Sequence, residues 1–512
     1  MDLNYKTISV CKFYRQIKTE MNAHSDVIVP DTCPDISRIL SVNAVCDVTD
    51  TSIRKDKVIF SGNVKYNILY SGDTDSSKIC TIEHVLPFSH QADLPGMEEG
   101  YDSCVSCLVS KTVFDVKNSR KLSVGAMIDF ILQIQHKGES DVLCDCEEIK
   151  NTPYKSKDYE YDSMIGCEDI NFEIEDTITF ASCSGEYSVL DINVRLDISD
   201  IKAVNSKAVI KGQADIELLY SDGDEISTYN TETGFTEVAD MEKLTSDCRI
   251  VSHFEVADVT YNPQKSDSDS GLELKVKVRG YICAFEHNLF NAVSDIYSPD
   301  YLYDKQCEKL CVSTLSETFK TQDTVKDAVD ISDSDSVISK IYHMNYFNRR
   351  GDSLLEDGML KLSGNLESVI IYADEENRLC RAFKSTPYKF EFPCDIHNDD
   401  YYIMSDVCCI NSGYIMGSQS EIQIRTVMRA EATVVSMKNH SIVTGFSIDM
   451  NSPISKDDQP SIVVFYPDSS SDLWEIAKKY NTTCEEIESV NSLDHASRLS
   501  YDKPLLIPKR KK

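Results

Sequence analysis

The stretch VIFSGNVKYNILY, residues 58–70, constrains the fold more than any other part of the chain, because it occurs three times in altered form. Taken by alternate residues, Val58, Phe60, Gly62, Val64, Tyr66, Ile68 and Tyr70 share one face, with mostly polar residues between them. A period of two marks a half-buried strand, since successive side chains leave a strand on opposite faces. The second copy places Ala208, Ile210, Gly212, Ala214, Ile216, Leu218 and Tyr220 on that face, and the third Leu360, Leu362, Gly364, Leu366, Ser368, Ile370 and Tyr372. Gly62 to Tyr70, Gly212 to Tyr220 and Gly364 to Tyr372 keep one spacing, and successive copies lie about 150 residues apart. That period is domain-sized, too long for a solenoid unit. A glycine in mid-strand predicts a bulge or tight bend where a sheet curls.

The surroundings recur in order. Each tyrosine is followed by a polar turn (SGDTDSS, SDGDE, ADEEN), a second apolar strand (HVLPFSHQADLPG, TGFTEVADM, TPYKFEFPCD) and two further alternating strands. Each copy therefore reads as an antiparallel β domain of about five to seven strands. The starts differ. Only the first has Pro30 and Pro34, which frame a turn after which Asp35 is placed to cap a short helix through Ile39 and Leu40. The acidic stretches 137–163 and 298–313 read as linkers. The expected division is 1–150, 165–300, 312–450 and a tail at 461–509. SDSDSG at Ser266 spaces Asp267 and Asp269 like calcium ligands, but the downstream glutamate of a calcium loop is missing, so a solvated hairpin tip is expected.

Lys plus Arg number 52 and Asp plus Glu 85, a net charge of -33. Such a chain is repelled by nucleic acid and by anionic lipid. No N-terminal apolar core of a signal peptide and no apolar run of about 18 residues appears, so a cytosolic chain with mostly reduced thiols is expected. The 19 cysteines cannot all pair internally. Cys104 and Cys107 form one C-x-x-C, followed by Cys144 and Cys146, while Cys307 with Cys311 and Cys408 with Cys409 are looser pairs. A structural zinc site needs two well-spaced pairs or added histidines, so these read as core thiols, with oxidative cross-linking in a dense assembly left open. No cofactor is expected. There is no H-E-x-x-H, G-x-S-x-G, G-x-x-x-x-G-K-[ST] or G-x-G-x-x-G, and the ten histidines are scattered, so no enzyme is expected.

The tail reads as strand, helix, helix, strand. Ile462 to Tyr466 is the first strand, Ser470 or Ser471 caps a helix from Asp472 to Tyr480, Thr483 and Glu486 form a capping box, and Leu505 to Pro508 closes the unit. LWEIAKKY, Asn491 with Leu493, and PLLIP resemble a LysM module. That resemblance implies a βααβ unit that binds N-acetylglucosamine polymers such as peptidoglycan. The family's GDTL loop is replaced by SSDL, Ser470 to Leu473, which weakens the sugar implication. The groove walls implied are Pro467, Asp468, Ser470, Asp472 and Trp474 on one side, and Asn491, Ser492, Leu493 and Asp494 on the other. Docking on a protein would instead use an apolar patch of Ile462, Val463 and Tyr466. Trp474 is expected mainly in the small core.

VPDTCPDISRIL, VIFSGNVKYNILY, PFSHQADLPG and KLSVGAMIDFIL in the first copy resemble the SPOCS domain, and the other copies match through the glycine–tyrosine strand. SPOCS repeats followed by one LysM are the layout of clostridial spore-coat morphogenetic proteins of the SipL type. The resemblance implies a mostly β chain of three tandem antiparallel SPOCS-like domains and a small α+β LysM domain. It further implies a non-enzymatic scaffold in the mother-cell cytoplasm. The tail would dock on the coat's basal-layer morphogenetic ATPase (SpoIVA-like) at the forespore surface, and the repeats on other coat proteins. The LysM resemblance alone implies the alternative, a peptidoglycan-binding protein of the wall or spore cortex.

Overall fold

In each copy the glycine–tyrosine strand is the middle strand of a three-stranded antiparallel sheet. The computed structural model describes residues 3–73, 75–146, 152–180, 187–223, 225–265, 270–331, 337–396, 400–455, 460–468, 472–493 and 503–508. Repeat 1 holds β1 (Asn4–Ile28), β2 (Ile36–Arg54), β3 (Lys57–Gly72), β4 (Ile79–Asp93), β5 (Asp102–Asn118) and β6 (Lys121–Asp145). Repeat 2 holds β7 (Tyr154–Phe180), β8 (Tyr187–Val204), β9 (Lys207–Asp222), β10 (Glu225–Asp240), β11 (Arg249–Lys265) and β12 (Ser270–Ile296). Repeat 3 splits the first long strand into β13 (Tyr301–Leu315) and β14 (Phe319–Asp330). It continues with β15 (Ile338–Glu356), β16 (Met359–Asp374), β17 (Leu379–Pro393), β18 (Tyr401–Ser418) and β19 (Glu421–Pro453). The inner sheets run β2-β3-β4, β8-β9-β10 and β15-β16-β17. The outer sheets run β1-β6-β5 and β7-β12-β11, and in repeat 3 β19 is flanked by β13, β14 and β18. The two sheets of a repeat face each other: Val58, Phe60 and Tyr66 of β3 share one apolar core with Leu122 and Phe130 of β6.

The glycines act through the neighbouring strand. Gly62, Gly212 and Gly364 pair with Val48, Ile198 and Arg350, and the register slips immediately after each partner. A Cβ on Gly62 would overlap the carbonyl oxygen of Asp47. On Gly212 it would lie 2.7 Å from the Asp197 carbonyl and on Gly364 2.6 Å from that of Arg349. The bulge thus sits opposite the glycine, where a missing side chain lets the bent strand approach. Tyr70 and Tyr372 close the strand buried, and the Tyr70 hydroxyl donates to the Pro34 carbonyl at 3.1 Å; Tyr220 is half-buried.

Two expectations give way. Residues 36–40 are the start of β2 rather than a helix: the run favours the extended chain, and the Asp35 carboxylate bonds Ser119 and Arg120 instead of capping. The acidic stretches read as linkers are largely strand, forming the end of β6, the start of β7 and most of β13. Their charges occupy one face, while Tyr159 and Tyr161 of β7 and Leu310 and Val312 of β13 are buried on the other. The acidic composition concealed the period of two.

The repeats close into a ring. β2 of repeat 1 packs on β11 of repeat 2, β8 of repeat 2 on β18 of repeat 3, and β15 of repeat 3 on β5 of repeat 1. The same two strand types meet at all three interfaces, a quasi-threefold arrangement. Its apolar layers draw equivalent residues from every repeat. One contains Leu143, Val293 and Val443 with Cys146, Ile296 and Phe446. A second contains Leu69, Leu219 and Ile371 with Leu40 and Leu190. Leu69 lies on the face of β3 that alternation assigns to solvent, and the neighbouring repeats cover it.

The tail consists of β20 (Ile462–Phe465), α1 (Leu473–Lys479), α2 (Cys484–Asn491) and β21 (Leu505–Pro508), with β20 and β21 antiparallel. It is the βααβ unit expected. Ile476, Ala477, Ile487, Leu505 and Ile507 fill its core. Asp472, not Ser470 or Ser471, caps α1, accepting the Trp474 N–H, while Thr483 and Glu486 form the capping box of α2. Ser470, Asp494 and the Ser266 loop lie outside the described residues.

Candidate functional site

Two junctions gather polar side chains from parts of the chain far apart in sequence. The first lies where the tail meets repeat 2. Asp295, near the end of β12, accepts hydrogen bonds from Trp474 Nε1 (2.7 Å), Lys478 Nζ (2.7 Å) and Lys305 Nζ (2.6 Å). Burial opposes its charge, but these donors outweigh burial and hold the carboxyl down at about 2. Tyr297, fully buried, meets the Trp474 ring edge-on at 5.0 Å and donates its hydroxyl to the Thr482 carbonyl at 2.8 Å. Trp474 therefore fastens the tail to the ring, and the tail's core is completed by a residue of repeat 2. The corner is specific to that repeat. The equivalent of Asp295 in repeat 1 is Asp145, which takes the Tyr154 hydroxyl at 2.9 Å, and in repeat 3 it is Gly445.

Of the implied groove residues, Asp472 is used as a helix cap and pairs with Lys155 at 3.5 Å, Pro467 is buried, and Asp468 and Ser492 are exposed. Leu493 packs on the tail core and donates its N–H to the Glu488 carbonyl. Asn491 is implied as a groove-wall residue. Its amide nitrogen instead donates to Ile487 O (2.7 Å) and Leu506 O (2.6 Å), and its oxygen accepts Leu506 N–H (2.8 Å), tying α2 to β21. Of the implied docking patch, Ile462 is 53% and Tyr466 72% exposed, joined by Val464 at 53%, whereas Val463 turns onto the tail core.

The second junction is on the ring axis. His343 of repeat 3 is fully buried, with Nδ1 2.7 Å from Glu217 Oε1 and Nε2 2.9 Å from Asn345 Oδ1 and 3.2 Å from Asp191 Oδ2. Asp191 also accepts from Asn43 and Asn67 of repeat 1, both at 2.7 Å, and from Asn345 at 2.9 Å. Arg195 lies 3.5 Å from Glu217. Burial disfavours the imidazolium, but the bonds and charges of Asp191 and Glu217 prevail and raise His343 to about 9. A related cluster bridges repeats 2 and 3. His253 sits 3.1 Å from Asp406 and 3.3 Å from Glu255, Arg350 donates to Asp406 at 2.7 Å, and His253 is likewise raised to about 9. A cavity of about 320 Å³ runs beside the axis along Asn43, Asn67, Arg195 and Asn345. Both ring nitrogens of His343 are engaged, so the geometry is that of a clamp rather than a general base. Sequence reasoning missed this site. Its signal was present, since LSVNA, LDINV and YHMNY align Asn43, Asn193 and Asn345 at one position of the three repeats.

Residues 35–117 and 187–264 match the family described as SipL, SPOCS domain. These two regions are SPOCS domains of the SipL kind. The matched regions correspond to β2–β5 and β8–β11, so each SPOCS repeat gains its long first and last strands outside the match. Repeat 3 lies outside the match but has the same strand order, with its first strand divided. No curated protein and no solved structure matches the chain. The SPOCS match marks a sporulation-related protein. Among the described residues no helix is long and apolar enough to cross a membrane, and no group of three or more His, Cys, Asp or Glu is placed to hold a metal ion.

Proposed function

We propose that this SPOCS protein is a non-enzymatic scaffold of spore-coat assembly. Its ring carries a LysM-like tail that docks on the basal-layer morphogenetic ATPase at the forespore surface, and the ring surfaces receive other coat proteins. The observation that carries the reading is the orientation of the tail. One side is fastened to Asp295 and Tyr297, which leaves the apolar face of Ile462, Val464 and Tyr466 outward on a rigid support. An exposed apolar patch next to a sheet edge suits a protein partner. The SPOCS match supports the sporulation setting.

The test uses the full chain, because Tyr297 belongs to the tail's core. Ile462→Asp combined with Tyr466→Asp is expected to weaken binding to the purified coat ATPase at least about tenfold, the loss of about 1.4 kcal/mol or more. Unchanged binding would overturn the docking role. Pelleting with peptidoglycan sacculi, blocked by chitin oligomers, would favour the glycan reading instead.

A further inference from the structure

Three cysteine sulfurs meet where repeat 1 touches repeat 2. Cys167 of β7 and Cys283 of β12 stand directly opposite each other in antiparallel register and are disulfide-bonded. Cys104 of β5, in repeat 1, places its Sγ 2.9 Å from Cys167 Sγ. Cys104 and Cys107 share a C-x-x-C spacing, but in the folded chain Cys107 turns to the Cys46 carbonyl and Glu255. Cys104 faces the Cys167–Cys283 bond across the boundary between repeats. The groups that a proton transfer needs are adjacent. Asp169, two residues beyond Cys167, is near enough for Cys104 to favour its charged form, and Gln133 Oε1 lies 3.7 Å from Cys283 Sγ.

We propose that Cys104, Cys167 and Cys283 form a disulfide relay that moves one disulfide from within repeat 2 to the boundary between repeats 1 and 2, locking the ring covalently. The Cys104 thiol gives its proton to Asp169, and the thiolate attacks Cys167 Sγ. The Cys104–Cys167 bond forms as the Cys167–Cys283 bond breaks, and the electron pair leaves on Cys283. That sulfur takes up a proton and donates its S–H toward Gln133. One disulfide is exchanged for another, so no net oxidant is consumed. Cys167 is the shared sulfur because it is the one that Cys104 abuts. Burial pushes the Cys104 thiol up, so the exchange is slow at neutral pH and quickens as the pH rises. In the locked state the cross-link joins strands of different repeats, and opening the ring at this boundary then requires breaking a covalent bond.

The test is peptide mapping of the full-length chain, with free thiols alkylated before digestion without reductant. Wild type is expected to yield both Cys167–Cys283 and Cys104–Cys167 peptides, the second gaining on the first after incubation at alkaline pH. Cys283→Ser, treated with the two-electron thiol oxidant diamide, is expected to shift wholly to Cys104–Cys167, and Cys104→Ser to retain only Cys167–Cys283. Circular dichroism confirms that each variant is folded. Cys283→Ser that folds yet leaves Cys104 and Cys167 both alkylated after diamide overturns the relay. So does wild type that yields only Cys167–Cys283 at every pH, which keeps the test decisive if a variant fails to fold.

Discussion

The ring axis and the tail corner solve one problem in opposite ways. Each joins distant parts of the chain through a charged group surrounded by partners. On the axis the central group is a cation, His343, held between Asp191 and Glu217 with no exposure. At the corner it is an anion, Asp295, held among Lys305, Lys478 and Trp474. The axis also breaks the ring's symmetry. The apolar layers repeat the same kind of residue at equivalent places, Leu143, Val293 and Val443, whereas the polar layer sets Ser41, Asp191 and His343 at theirs. Apolar repetition drives closure, and the unequal polar layer fixes which repeat stands where. A buried polar cluster is suited to that role because a wrong order would leave charges unpaired.

The largest expected effect breaks the axis. His343→Leu leaves Asp191 buried without its cation and Glu217 with Arg195 alone, and is expected to cost about 3–5 kcal/mol, read from the denaturant midpoint. The tail's contacts with Asp295 should survive under native conditions. Titration sharpens the contrast. The folded chain holds His343 and His253 at about 9 against an ordinary 6.5, so their stabilisation is complete below pH 6.5 and disappears as the pH rises through about 9. Asp295 is held at about 2 against an ordinary 3.8, so its contribution is complete above pH 3.8 and disappears as the pH falls through about 2. Base should loosen the ring and acid the corner. Fluorescence of Trp474, the single tryptophan, alongside ring-wide circular dichroism would show the two transitions at opposite ends of a pH scan.

A smaller effect belongs to the tail alone. Asn491→Ala removes two bonds between α2 and β21 and one within α2, and is expected to cost about 1–3 kcal/mol of tail stability without moving the main unfolding transition of the ring. The smallest is Lys155→Ala. Its pair with Asp472 is half exposed on both sides, so a change within about 0.5 kcal/mol is expected in the melting of the tail. A large Lys155 effect would mean that the corner is held by its rim rather than by Asp295 and Tyr297.

The strand that recurs three times was legible because one face of β3, β9 and β16 is apolar at every second position, and its glycine correctly announced the bulge. The long strands β7 and β13 were not, because solvent takes one of their faces and acidic residues crowd it. The ring escaped notice for a related reason. Leu69, Leu219 and Ile371 sit on the face that looks outward in an isolated sheet, and only the neighbouring repeats make it an interior. In the tail the cap of α2 and the core were readable locally, whereas the role of Trp474 depends on Asp295, which lies 179 residues earlier in the chain. Contacts within an element leave a periodic trace; contacts between repeats leave only a recurrence, as with Asn43, Asn193 and Asn345.

The central claim is that the three repeats form one closed ring centred on the polar axis. Hydrogen exchange of the full-length chain, wild type against His343→Leu, tests it most directly, because protection reports how far a local loss spreads. The account predicts faster exchange in β2, β8 and β15 together, one inner strand of each repeat, with α1 and α2 of the tail unchanged. Acceleration confined to β15, the strand that carries the substitution, would contradict it and show three repeats that stand independently.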